Sequence, residues 1–196
     1  MISGNIGPRG DGYNPAELLT PDEAADYHRD QIEAFAEAGA DLITTLTMTH
    51  VGEAVGITRA AQAAGMPVVI SFTTETDGRI PTTQTLGNAI QEVDRMTGNG
   101  PAYYMVNCAH PTHFDDALQK DETWIKRLRG IRANASTKSH EELDNATELD
   151  EGNPAELGAQ YRAIRDRMPH VTTLGGCCGT GHRHVAQICS ACRLAA

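Results

Sequence analysis

Two phrases in this chain are near-copies: Glu37-Ala-Gly-Ala-Asp-Leu-Ile43 and Ala63-Ala-Gly-Met-Pro-Val-Val-Ile70. They lie ~25 residues apart, the length of one βα unit. Each phrase ends a helix at a glycine and enters an apolar strand. A chain that repeats this step is committed to alternating strands and helices, and the rest of the sequence keeps the alternation. A short strand is expected near residues 2–5. The first helix spans 21–38, with Thr20 as N-cap and Pro21 at its first position, and Gly39 stops it. A strand over 41–46, a helix over 51–64 and a strand over 68–72 follow. A helix over 84–97 then leads to a strand over 103–107. Short helical pieces over 114–118 and 123–126 precede a strand over 130–134. A helix over 154–168, a strand over 171–174 and a last helix over 181–193 complete the series. The polar stretch 136–153 reads as the least regular segment, a mobile loop.

Strands this apolar on both faces imply a parallel sheet covered on each side, an α/β fold. About six βα units can be counted. A (β/α)8 TIM barrel takes ~250 residues, so 196 residues suit an open α/β sheet or a barrel of this type that is incomplete. With 40% hydrophobic residues and no linker, the chain is expected to be one domain over 1–196. A net charge of -10 disfavours a nucleic-acid backbone or an anionic membrane as partner. No apolar run suits a membrane helix and no signal peptide is visible, so a cytoplasmic location is expected.

Parallel α/β folds place their reactive groups at the carboxyl ends of strands. Cys108 directly follows the strand ending at Asn107. Cys177 and Cys178 follow a strand end inside Gly175-Gly-Cys-Cys-Gly-Thr-Gly181. Five cysteines, two of them adjacent, do not make a disulfide framework, and metal chemistry in a reducing compartment fits better. Three thiolates with one open position form a catalytic type of zinc site. Such a site keeps a net negative charge, so a substrate thiol joining it loses its proton yet stays nucleophilic. That thiolate can displace a methyl group from a sulfonium or quaternary nitrogen. The all-sulfur ligand set argues against a hydrolase using metal-bound water, and the spacing matches no usual iron–sulfur run.

Other residues carry weaker signals. Glu75 lies just past a strand end, as a partner for a substrate ammonium group or as a solvated loop carboxylate. Asn107 and Asn134 end adjacent strands; they could bind a substrate carboxylate or support the metal ligands. His110 and His113 flank Cys108 as pocket-lining candidates. His182 and His184 open the last helix as spare ligands, substrate contacts or surface residues. Cys189 and Cys192 share one face of that helix and suit packing.

Four segments carry a resemblance: Gly176-Cys-Cys-Gly-Thr180, Asn107-Cys108 with Pro111 close behind, Ser71-Phe-Thr73 and Gly4-Asn-Ile-Gly-Pro8. Together they resemble the homocysteine S-methyltransferase family over nearly the whole chain. The resemblance implies a zinc-dependent (β/α)8 barrel that methylates homocysteine to methionine. The donor would be S-methylmethionine, S-adenosylmethionine, betaine or methylfolate. By motif, Cys108, Cys177 and Cys178 match the family's zinc ligands, and Glu75 falls near the position that holds the homocysteine amino group in some members. Family members begin with a strand bearing an Asp-Gly-Gly-type motif, and another βα unit follows. Here the sequence opens directly at Gly-Asn-Ile-Gly-Pro, so those first two units are expected to be absent. The alternative is therefore a catalytically impaired barrel fragment that binds zinc and a thiol or assembles with a partner chain. The two unpaired sheet edges would favour a homo-oligomer.

Overall fold

The computed structural model describes residues 1–13, 15, 17–119 and 122–193. Strand β1 (Ser3–Ile6) is followed by helix α1 (Pro21–Glu37), which begins where the sequence places it. Thr20 Oγ1 accepts from Glu23 N at 3.3 Å, and the Glu23 carboxyl accepts from Thr20 N at 2.9 Å. This reciprocal cap satisfies two backbone donors that a helix start leaves orphaned. After α1 the chain runs through β2 (Leu42–Met48), α2 (Val51–Ala63), β3 (Val68–Phe72), α3 (Leu86–Thr97) and β4 (Tyr103–Asn107). Helix α4 (Pro111–Leu118) and a 3-10 turn (Thr123–Arg127) lead to β5 (Leu128–Ala133). Then come α5 (His140–Asp144), α6 (Pro154–Arg167), β6 (Thr173–Gly176) and α7 (His182–Cys192).

All six strands pair in parallel and in chain order, β1 to β6, in one sheet. Parallel neighbours in sequential order, each joined through a helix, make the wall of a (β/α)8 barrel. Six strands curl into a half-barrel, the incomplete form the unit count predicts. Side chains alternate across that wall. Ile43, Ile70, Phe72, Tyr104, Val106 and Ile131 point toward the helices and join the main core. Leu42, Val69 and Met105 face the other way and form a small cluster on the concave side. Each fully buried aliphatic side chain in the main core contributes about 1.5–3 kcal/mol. Helices α1 and α2 close against each other at Gly56, where a Cβ would lie 2.5 Å from Ala24 Cβ and Pro21 O. No described helix is long and apolar enough to cross a membrane.

Two expectations about local structure change. The stretch 136–153 is not irregular throughout. Ser139 Oγ accepts from Glu142 N at 3.2 Å while the Glu142 carboxyl accepts from Ser139 N at 2.8 Å, a capping box that starts α5. The last strand lies two residues further along than its apolar pattern suggests. Val171 N still donates to Met168 O at 2.9 Å in the turn after α6, and the ladder instead takes in Gly175 and Gly176 opposite Arg132 and Ala133.

Candidate metal centre

Strands β4, β5 and β6 end side by side, with Asn107 opposite Arg132 and Ala133 opposite Gly176. The residues just beyond those ends are Cys108, Asn134 and the Cys177-Cys178 pair. Their three sulfurs all lie within 4.8 Å of one another. Sulfurs bound tetrahedrally to zinc at ~2.3 Å sit about 3.8 Å apart, and Cys108 Sγ lies 3.6 Å from Cys178 Sγ. The donor set fits zinc in type, and the Cys108–Cys178 pair fits it in spacing. Cys108 and Cys177, with Cα atoms 5.4 Å apart, are joined as a disulfide. The sequence leads to three free thiolates; the structure gathers the same three sulfurs with two of them paired. Backbone that holds thiols close enough for one metal also brings them within disulfide reach. Cys108 is buried, Cys177 half-buried and Cys178 exposed, so the open side of the site lies at Cys178.

The backbone around these sulfurs is unusual and heavily tied. Cys108 adopts φ +55, a left-handed conformation that a residue with a Cβ rarely takes. Asn134 holds it there. Its Nδ2 donates to Cys108 O at 3.0 Å, and its Oδ1 accepts from Cys178 N at 3.1 Å. One buried amide thus spans both cysteine loops. Backbone pairs extend the clamp: Cys177 N donates to Ala133 O at 2.9 Å and Ala135 N to Cys178 O at 3.0 Å. Gly179 turns the loop away at φ +75, where a Cβ would meet Asp150 O at 2.6 Å. Tyr161, buried on α6, fixes the seam below. Its hydroxyl donates to Gly175 O at 2.6 Å and accepts from Ala133 N at 2.7 Å.

The other candidate residues separate by their contacts. The Asn107 amide is fully committed within the chain: Oδ1 accepts from Thr47 N at 2.8 Å and Ser71 Oγ at 2.6 Å, and Nδ2 donates to Thr47 Oγ1 at 2.8 Å. It supports Thr47, another residue at positive φ (+61). Glu75 sits in a turn closed by Glu75 N to Arg79 O at 2.8 Å; burial and then Asp77 raise its carboxyl pKa. His110 caps α4 by accepting from Thr112 N at 3.3 Å, and burial with neighbouring His113 pushes its pKa down to about 4. His113 donates to Thr137 O at 2.9 Å. His184 accepts from Gly181 N at 3.0 Å and donates to Glu151 O at 2.8 Å, so its ring ties the start of α7 to the preceding loop. Exposed Cys189 and buried Cys192 lie outside the sulfur cluster. Replacing both with alanine is expected to leave metal content per chain unchanged, as checked by elemental analysis of the purified protein.

The sequence did not point to Tyr13 and His140. Tyr13 lies past the end of β1, with its hydroxyl 4.0 Å from Cys178 Sγ and its ring stacked on His140 at 4.0 Å between centroids. Burial and then the Cys178 sulfur hold its phenol pKa far above the ordinary value. Cys178, Tyr13, His140 and Asn134 line one cavity of about 230 Å³, together with Asp144, Glu148, Leu149 and Asp150. No lysine or arginine is among the described residues lining it. The capping box at Ser139 could have signalled a helix beginning at His140; nothing local signals the contact with Tyr13.

A sequence model described as homocysteine S-methyltransferase matches residues 1–192. No curated protein matches the chain. Among solved structures, the homocysteine methyltransferase MmuM from Escherichia coli matches in three forms. The oxidised form is 20% identical with a TM-score of 0.72, the apo form 19% with 0.69, and the metallated form 19% with 0.71. Each match covers 96% of this chain and 60%, 62% and 60% of the respective MmuM chain. The chain thus spans about three fifths of that enzyme's length.

Proposed function

Because this chain belongs to the homocysteine S-methyltransferase family, we propose that it transfers a methyl group to the thiol of homocysteine at a zinc ion held by Cys108, Cys177 and Cys178. The observation that carries this reading is the convergence of the three sulfurs at the carboxyl ends of β4 and β6. Bound zinc would supply a Lewis-acid centre at which an added thiol is deprotonated at neutral pH. The chain's own residues do the rest. Asn134 orients both cysteine loops, and Cys178 faces the open cavity. The proton of the homocysteine thiol goes to solvent. Its sulfur forms a bond to the methyl carbon as the carbon–heteroatom bond of the donor breaks, giving methionine and the demethylated donor. Glu75 is the proposed partner for the homocysteine ammonium group; burial and then Asp77 raise its pKa, and a cation beside it would favour the charged carboxylate.

The cavity beside Cys178 bears on the donor. Asp144, Glu148 and Asp150 line it, Asp150 being paired with Lys138 Nζ at 3.5 Å, and its volume is about 230 Å³. S-methylmethionine, S-adenosylmethionine and betaine carry their methyl group on a positive centre; methylfolate is large and anionic. The lining supports an onium donor. With the reduced, zinc-loaded chain and homocysteine, S-methylmethionine is expected to be consumed at least ten times faster than methylfolate at equal concentration; equal rates would remove this assignment. A second reading, a chain that binds zinc and thiol without turnover, is kept by the coverage of only 60% of the MmuM chain.

Isothermal titration of homocysteine into the reduced protein, with zinc quantified on the same sample, tests the main proposal. Binding with proton release at about one zinc per chain supports it. Zinc without homocysteine binding favours a metal-binding fragment, and absence of stoichiometric zinc after reduction sinks both.

A further inference from the structure

The segment 7–13 has no regular structure and holds Gly7, Gly10 and Gly12, yet it delivers Tyr13 to Cys178. Its position is set from a distance by a buried acid. Glu53 on α2 is 1% exposed, and its Oε1 accepts from Arg9 N at 2.6 Å and from His28 Nε2 at 2.9 Å. Its Oε2 lies 3.8 Å from His50 Nδ1. The same carboxyl therefore serves two elements, tying α2 to the buried His28 of α1 and holding the loop backbone at Arg9. A buried carboxyl is costly unless hydrogen-bonded, and one of its partners here is a backbone N–H of the loop. Beyond Arg9 the loop is held twice more. Asp11 Oδ1 accepts from Tyr13 N at 2.7 Å, a turn closed by an aspartate side chain. Gly12 packs on Thr47, where a Cβ would come within 3.0 Å of Thr47 Cγ2. Tyr13 then lands on His140, so the two rings wall the cavity next to the exposed sulfur.

Building on the methyl-transfer reading, we propose that Tyr13 contacts the methyl donor at the sulfur site and that Glu53 is the positioning residue that seats it through the Arg9 backbone. One face of the Tyr13 ring is stacked on His140, which leaves the opposite π face for a cationic methyl group, and its hydroxyl lies 4.0 Å from Cys178 Sγ.

Two conservative changes at Glu53 separate anchoring from core support. Glu53→Asp withdraws the carboxyl by one methylene, out of reach of Arg9 N. Glu53→Gln keeps an acceptor oxygen in place. Backbone amide exchange is measured on the full-length, reduced, metal-free chain. Glu53→Asp is expected to speed exchange in residues 9–13 about tenfold, with β3 unchanged, while Glu53→Gln stays near wild type. Wild-type exchange in Glu53→Asp, or equal acceleration in both variants, overturns the anchor. Acceleration in β3 as well as the loop overturns it too, because Glu53 would then support the core in general. In the zinc-loaded protein, Tyr13→Ala is expected to raise KM for S-methylmethionine about tenfold with zinc content unchanged, and Tyr13→Phe to recover most of the loss. An unchanged KM in Tyr13→Ala overturns the donor contact. A wild-type chain that binds zinc but transfers no methyl group removes the proposed function, and the exchange measurement still decides the anchor.

Discussion

Replacing Cys178 with alanine is expected to remove stoichiometric zinc from the reduced protein and to abolish methyl transfer to homocysteine. Zinc sites in small peptides bind with about 10–16 kcal/mol in total, so an even share per ligand is about 3 kcal/mol, more than a hundredfold in affinity. The loss here should exceed that share. Cys108 and Cys177 already lie within disulfide reach, so once the reductant is removed and dissolved oxygen is admitted as oxidant, a site left with only those two sulfurs passes more readily to the disulfide than to a two-ligand metal complex. Cys177→Ala leaves Cys108 and Cys178 3.6 Å apart, a spacing suited to a metal. It is therefore expected to retain weak zinc that dialysis removes, whereas Cys178→Ala retains none. Elemental analysis before and after dialysis, with thiol titration on each sample, measures both. Full zinc in either variant would place the metal elsewhere on the chain.

The gathering of the three sulfurs was legible because it obeys a rule of the fold more than a rule of spacing. Cys108 and Cys177 are far apart in sequence, but each follows a strand, and parallel sheets gather strand ends on one rim. Strands β3 and β4 were readable to the residue. Val68–Phe72 and Tyr103–Asn107 are mainly apolar runs, each with one polar residue near its end (Ser71 and Asn107), bounded by helix stops and turns. Strand β6 was displaced because its most apolar residue, Val171, belongs to the end of the preceding turn, whereas two poor strand formers, Gly175 and Gly176, are held by the ladder to β5. Tertiary pairing overrode local preference there. The loop residues were less legible still. Tyr13 and His140 meet only because the first and fifth strands of one curled wall point their loops at the same rim. Nothing in the sequence singles out Glu53; its burial follows from the close approach of α1 and α2, which the small Gly56 permits but does not announce.

Asn134 spans both cysteine loops of the proposed metal site through backbone groups alone. Asn134→Ala is expected to weaken zinc binding about 10–100-fold, the usual cost of losing a group that orients ligands. The physical reason is specific to this rim. The amide satisfies Cys108 O and Cys178 N together, at 3.0 and 3.1 Å; when it goes, Cys178 N loses this partner and Cys108 O keeps only the longer bond from Thr73 Oγ1 at 3.4 Å. An unpaired buried group costs about 1–3 kcal/mol. Cys108 meanwhile keeps its left-handed backbone only while its neighbours over-determine it. Relaxation of Cys108 toward ordinary φ would swing its Sγ away from Cys178. Asn134→Asp retains an acceptor for Cys178 N but has no donor for Cys108 O, so it isolates the Cys108 half of the clamp. Zinc affinity measured by competition with a chelator should then rank wild type first, Asn134→Asp second and Asn134→Ala last. The far-UV spectrum should be unchanged throughout, because β5 itself stays hydrogen-bonded to both neighbouring strands. Equal affinity in all three would mean that the cysteine loops hold their geometry through backbone pairs alone, among them Cys177 N to Ala133 O and Ala135 N to Cys178 O.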